Sequence, residues 1–391
     1  MSHSPQHAHT HTNIKNTTDS HSTKTERDKK IQWLASDHKV NQSSDDGTTS
    51  HSNSPNWVLS LALNPNIKGL SSVVFSPDST KLAIASASGS IQVYSFLLAQ
   101  NNETVPVPQL AHLTNLTGHS AGVNEIVWSN DSRQIASASD DHSVRVWRIG
   151  IKTGRSRKLV GHSHCVYTTA FHPLGTMLVS GSFDETIKLW DASSRRLIRT
   201  LPGHSEVVSA LDFSRDGSVI VSASFDGLTR LWDTATGQCL KTLVVAEETN
   251  APVSFVAFTP NSNYLLTCAL DSVVRLWDYK TKEGTVVKSY TGHTNTKYAI
   301  PARVMALGED GRAYVVMGSE EGKVWIWDLQ SRECVQIIES HQDTVIGLAI
   351  YPGSRHGLFV TAGLERDPVI RVFRLDEGPS GMKLNSHCKT E

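Results

Sequence analysis

Histidine, aspartate, glutamate and cysteine are the side chains here that could carry chemistry. The chain has 391 residues, with 18 His, 38 Asp plus Glu and five Cys. Adjacent Asp184-Glu185 has the makings of an acid–base couple. His7-Ala8-His9-Thr10-His11 could bind a metal adventitiously, and Gly318-Ser319-Glu320-Glu321-Gly322-Lys323 has the outline of a phosphate loop. Cys165, Cys239, Cys268, Cys334 and Cys388 are scattered without a C-x-x-C pair, which excludes a zinc-finger spacing and fits a reducing compartment. No G-x-G-x-x-G, G-x-x-x-x-G-K-[ST], H-E-x-x-H or G-x-S-x-G occurs. We therefore assign no catalytic residue, no metal ligand and no cofactor, and expect the protein not to be an enzyme.

The elements that hold these residues explain most of them. Val179–Asp191 consists of two alternating runs around an acidic turn, closed by Trp190-Asp191, and variants of it recur. Closing aromatics fall at Tyr94, Trp147, Trp190, Trp232, Trp277, Trp327 and Phe373, spaced 42–53 residues apart. Gly-His pairs precede them at Gly118-His119, Gly161-His162, Gly203-His204 and Gly292-His293, with Ser340-His341 as a worn form. His to Trp is 28 residues in three copies, 119 to 147, 162 to 190 and 204 to 232. That period and constancy predict an all-β chain, a seven-bladed WD40 β-propeller with four strands per blade.

Six residues before each closing aromatic stands an acid, Asp141, Asp184, Asp226, Asp271, Glu321 or Asp367; copy one has Ser88. We expect a buried polar chain in which the acid orients the Gly-His imidazole. The imidazole bonds a strand hydroxyl (Ser180 or Ser182 in copy three), and that hydroxyl reaches the Trp indole. Asp184 then becomes a turn residue, the phosphate-loop outline a hairpin, and the blade histidines structural.

Residues 1–55 are rich in Ser, Thr, His, Asn and Lys and too poor in apolar residues to offset ordering, so they read as a disordered tail. The propeller is expected over 56–375 and a loose tail over 376–391. Lys24, Arg27, Lys29 and Lys30 make a thin basic cluster. Leu97 to Ala111 reads as an extended loop after blade one, and copy six is lengthened through Gly308-Glu309-Asp310-Gly311. Net charge is −1, with no membrane-length apolar run or signal peptide, so neither nucleic acid nor membrane is expected as a partner, and a soluble, intracellular protein is.

Function should lie where the copies differ. The residues before the turn acids, Ala87, Asp140, Phe183, Phe225, Leu270, Glu320 and Arg366, should ring one channel mouth. A second ring, Ser71, Asn124, Tyr167, Ser209 and Ser254, with Tyr298 to Pro301 and Ile346, should converge on the same opening. Aromatic faces beside the Asp140 carboxylate suit a guanidinium. The same aromatics could equally plug the mouth.

Val179–Trp190, Asp216–Ser222, Trp232–Leu243 and Pro252–Val256 closely resemble the WD-repeat-protein-five family, the propeller scaffold of COMPASS/MLL-type histone H3 lysine-4 methyltransferase complexes. The resemblance covers about 57–375. It implies a channel mouth that holds an arginine of the methyltransferase subunit or the histone H3 tail between two aromatics. The implied positions are Ser71, Ala87, Asn124, Asp140, Tyr167, Ser209, Phe225, Ser254, Tyr298, Ala299 and Pro301, and Phe183 of the turn ring is counted in the same pocket. Tyr167 keeps one stacking face, whereas Pro301 stands where the second aromatic would be and lacks a ring quadrupole, so a weakened or altered pocket is implied. On the opposite face, Asn261, Tyr264, Leu276 and Gln330 correspond to the seat of a retinoblastoma-binding-type subunit, with Tyr264 and Leu276 read as exposed anchors, although strand alternation could place Leu276 in the blade core. The family pattern also has Trp57-Val58-Leu59 complete the last blade.

The expectation is a nuclear, non-catalytic scaffold joining SET-domain, retinoblastoma-binding-type and Ash-two-type subunits, with the histone H3 tail as a further partner. The rival readings are a ubiquitin-ligase substrate receptor, a generic scaffold, or a propeller enzyme.

Overall fold

The computed structural model describes residues 55–99, 107–150, 156–245, 250–307, 312–353 and 357–376. The His7–His11 run, the Lys24–Lys30 cluster, the copy-six insertion at 308–311 and the tail from 377 lie outside the described residues. Within them are twenty-eight strands, β1 to β28, and no helix. They form seven four-stranded antiparallel sheets, six built of consecutive strands and one in which the first strand of the chain lies beside the last. The molecule is a seven-bladed β-propeller.

The exception closes the ring. Strand β1 (Trp57–Leu63) joins the last blade beside β28 (Ile370–Leu375), pairing Trp57 with Leu375 and Leu59 with Phe373. Trp57 is buried, meets Tyr314 edge-on at 5.2 Å, and donates its indole N–H to Gly357 O at 2.7 Å. Apolar side chains then fill the spaces between neighbouring blades; Val73, Leu82 and Ile84 of the first pack with Val360, Ile370 and Val372 of the last. A sheet buried on both faces needs such neighbours, so no blade is stable alone.

At both ends of the loop expected from Leu97 to Ala111 the chain is instead paired strand, over Leu97–Ala99 and Val107–Ala111. Strands β4 (Ser90–Ala99) and β5 (Val107–Thr117) stay in register out to Ala99↔Val107. Leu98 and Leu110 pack against the first-and-last-blade core together with Tyr351, so local polarity yields to apolar contacts two residues apart.

The polar chain forms in three blades with nearly the same geometry. In the third, His162 Nδ1 lies 2.8 Å from Asp184 Oδ2 and Nε2 lies 2.8 Å from Ser180 Oγ, which receives the Trp190 indole N–H at 2.8 Å. Ser180, not Ser182, is the linking hydroxyl. The indole can only donate, so Ser180 passes its own proton to Nε2 and Nδ1–H is left for the carboxylate. Burial raises the Asp184 pKa, but hydrogen bonds from His162 and Thr186 outweigh it and hold the carboxyl well below its usual range. His119, Asp141, Ser137 and Trp147 repeat the arrangement, as do His204, Asp226, Ser222 and Trp232. After each acid the chain turns sharply, with Glu185 and His142 forced to φ of 65° and 63°, and Gly227 at 82°.

The other copies improvise. In the fifth, Arg275 pairs with Asp271 at 2.6 Å, and Thr267 takes the Trp277 indole N–H. In the last, His341 links Asp367 to Thr361 beneath Phe373. The sixth is broken. Met317 stands ten residues before Trp327, where the hydroxyl should be, and Glu321 bonds Thr294 instead of the histidine. His293 is buried, and neither ring nitrogen finds a partner among the described residues.

Burial pushes the His293 pKa down to about 4. The folded value lies below the unfolded one near 6.5, so the unfolded chain takes up the proton first. Stability should fall as pH drops through the window between those values, by up to about 3 kcal/mol. Urea midpoints of the wild type and His293→Leu, measured from pH 7 to 4.5, should diverge on acidification, with the variant falling less. Parallel profiles would contradict this assignment.

Candidate functional site

The inner strand of each blade lines the channel, and a cavity of about 260 Å³ opens at one mouth. Ser71, Ala87, Asn124, Tyr167, Ser209, Ser254, Ala299 and Pro301 line it. Asp140, Phe183, Phe225 and Tyr298 do not line it but stand around it, the first three through direct contacts with lining residues. Asn124 Nδ2 donates to Asp140 Oδ1 at 2.7 Å and to Val166 O at 2.9 Å, fixing the exposed carboxylate at the rim. The Tyr167 ring lies 5.8 Å from Phe183 and 6.4 Å from Phe225, making one aromatic cluster. Burial drives the Tyr167 hydroxyl up to about 12, so it stays a neutral phenol. Phe183 remains 45% exposed, a large price in hydration for a ring with no core to fill.

One backbone contact sets the outer ring. Residues before the turn donate N–H to the preceding blade-entry loop: Ala87 to Gly69 O, Asp140 to Gly122 O, Phe183 to Cys165 O, Phe225 to Val207 O, Leu270 to Pro252 O and Glu320 to Thr294 O. In the last blade Leu364 makes this bond to Thr344 O, so Leu364, not Arg366, holds the ring position. The last hairpin is two residues longer between its hydroxyl and its acid, Thr361 to Asp367 against Ser180 to Asp184, which a count back from Phe373 cannot see. Arg366 is exposed and donates its N–H to Asp343.

Blade six departs most. Glu320 Oε1 accepts the backbone N–H groups of Thr296, Lys297 and Tyr298, pinning the segment that leads to Pro301. Lys297 Nζ lies 4.9 Å over the Tyr298 ring. Sequence reasoning missed three channel groups next to the cavity: Glu125, Phe255 and Arg303. The signal of Glu125 and Arg303 was a charge inside a mostly apolar inner strand, in Val123–Trp128 and Ala302–Leu307; Phe255 carries no such mark. Among the described residues no three His, Cys, Asp or Glu side chains gather as a metal site.

At the other end, Asn261 and Gln330 occupy turns, and the expected exposed anchors are corrected. Tyr264 is 5% exposed and Leu276 1%: Tyr264 is buried in the bend just before the strand Leu265–Ala269, and Leu276 stands in the four-residue buried run of Val273–Asp278. Asn261 Oδ1 accepts from Thr259 Oγ1 and Asn263 N, holding its own turn. Gln330 is exposed and receives Lys288 Nζ on its backbone O at 2.8 Å.

The family model of the WDR5 beta-propeller domain matches residues 62–374. Among curated relatives, the chain is 36% identical to COMPASS component SWD3 of Saccharomyces cerevisiae over 88 residues, 22% of this chain and 27% of that one. It is 30% identical to Jouberin of Rattus norvegicus over 142 residues, 36% of this chain and 13% of that one. It is 33% identical to Protein HIR1 of Cryptococcus neoformans over 100 residues, 26% of this chain and 11% of that one. The matches thus span less than a third of the length of these relatives.

Burial makes the two kinds of residue on the opposite face separable. Tyr264→Ala should lower unfolding stability by about 3–5 kcal/mol, as for large buried side chains, and Gln330→Ala by no more than about 0.5 kcal/mol. Chemical denaturation checks both; a neutral Tyr264→Ala would overturn the packing role.

Proposed function

The chain belongs to the WDR5 beta-propeller family, and from that premise we propose that it is a non-catalytic nuclear scaffold subunit of a COMPASS-type histone H3 lysine-4 methyltransferase complex. On this reading its channel mouth holds an arginine-bearing peptide of the SET-domain subunit or of the histone H3 tail. The opposite face, around Asn261 and Gln330, seats a retinoblastoma-binding-type subunit, with an Ash-two-type subunit in the same assembly. The similarity to COMPASS component SWD3 supports the choice of complex.

One observation carries the mouth reading: an aromatic cluster with Phe183 exposed and Tyr167 beneath it stands beside a carboxylate held in place by Asn124. A guanidinium laid on Tyr167 or Phe183 gains stacking, and its N–H fork reaches an anion with no further ordering needed. Asn124 is therefore a positioning residue for Asp140. Pro301, in place of a second aromatic, offers only a flat apolar face, so the guanidinium would be gripped from one side more than from two.

Fluorescence anisotropy with a labelled arginine-bearing peptide tests this. Asp140→Ala should weaken binding about tenfold or more, the loss of one charge-assisted contact. An arginine-to-alanine peptide should bind no better to the wild type than to the variant. Equal affinity across wild type, Asp140→Ala and the arginine-free peptide would remove the mouth from the proposal.

A further inference from the structure

The channel below the rim holds charges that the peptide reading does not use. Arg303 projects from the inner strand of blade six and sets its guanidinium 4.6 Å over the Phe255 ring of blade five. Among the described residues it makes one hydrogen bond, from Nη1 to Ala302 O at 3.3 Å. The anions whose fields favour its charge are Glu125 and Asp212, across the channel in blades two and four. Both carboxylates accept a backbone N–H from the next blade, and Asp212 one more from its own strand. Glu125 Oε2 accepts Thr169 N–H at 2.9 Å, and Asp212 accepts Phe213 N–H and Phe258 N–H, each at 2.8 Å. Burial raises both carboxyls, Asp212 to about 6, and the field of the Arg303 guanidinium acts against that rise. Cys268 is the other titratable group there, and burial lifts its thiol to about 12, leaving it neutral.

An aromatic face with two fixed carboxylates is the chemistry that recognises a guanidinium. We propose that the channel contains a second guanidinium site, made by Phe255, Glu125 and Asp212, which the chain fills with its own Arg303. Glu125, Phe255 and Arg303 border the same cavity as the rim residues, and each lies one or two residues farther along an inner strand than Asn124, Ser254 and Pro301. Arg303 thereby sets the depth of the pocket: it covers the inner aromatic face and repels a second cation, so an incoming arginine stops at Tyr167 and Asp140. This consequence rests on the mouth reading; the inner site does not.

Chemical rescue separates the two. Arg303→Ala opens the inner site to a free cation, whereas Arg303→Met fills the space without charge. Thermal melting of each is followed with methylguanidinium at millimolar concentration, with methylammonium and urea as controls. Methylguanidinium should raise the Tm of Arg303→Ala saturably by about 2–4 °C, and leave wild type and Arg303→Met unmoved. Should Arg303→Ala not fold by itself, recovery of folded protein on refolding with and without methylguanidinium reads the same question. No guanidinium-specific gain in either form, or an equal gain in wild type, would overturn the inner site. No peptide enters this experiment, so failure of the rim to bind arginine leaves its outcome intact.

Discussion

A buried indole that must hand its proton to something organises this protein. In three adjacent blades the acceptor is a strand serine that passes the demand through a histidine to a turn aspartate, so one tryptophan fixes groups from three separate stretches of its blade. An unmade bond anywhere in such a chain would leave at least one buried polar atom desolvated, at about 1–3 kcal/mol. The chain therefore sets the hairpin turn, and the turn sets where Asp140, Phe183 and Phe225 stand. The mouth is the far end of a structural network.

That network is uneven around the ring. Blades two to four carry it in full, and they also carry Asn124, Asp140, Tyr167, Phe183 and Phe225. Blade six has Met317 in place of the linking hydroxyl, leaves both His293 ring nitrogens without a hydrogen bond among the described residues, and supplies Pro301 and Arg303. The rigid side of the mouth thus presents the aromatics and the carboxylate. The opposite side trades internal order for departures in sequence, with Glu320 gathering three backbone N–H groups to hold the strand entrance. Ring closure through Trp57 and the inner-strand charges tie these unequal sides together.

Much of this was legible from residue spacing. The closing aromatics, the Gly-His pairs and the turn acids repeat at intervals that only a fixed strand count allows, so seven blades and the polar chain followed directly. What escaped was set by contacts between blades. The Leu97–Ala111 stretch reads as a loop until Leu98 and Leu110 pack against a core that the first blade shares with the last. Tyr264 reads as an exposed anchor until the bend before its strand buries it, and Leu276 takes the blade-core position that was its alternative reading. Arg366 was displaced from the ring by two extra hairpin residues, which no count from one marker reveals. The role of Arg303 is not legible from its own strand, because its aromatic and anionic neighbours belong to three other blades.

The functional account joins a rigid aromatic and acidic rim to membership of a scaffold family. Its central claim concerns the company the chain keeps. Affinity purification of the tagged full-length chain from nuclei of its own cells, followed by mass spectrometry, addresses that claim most directly. Recovery of a SET-domain methyltransferase together with an Ash-two-type subunit is the result the account predicts. Recovery of a cullin adaptor with neither of those subunits would contradict it.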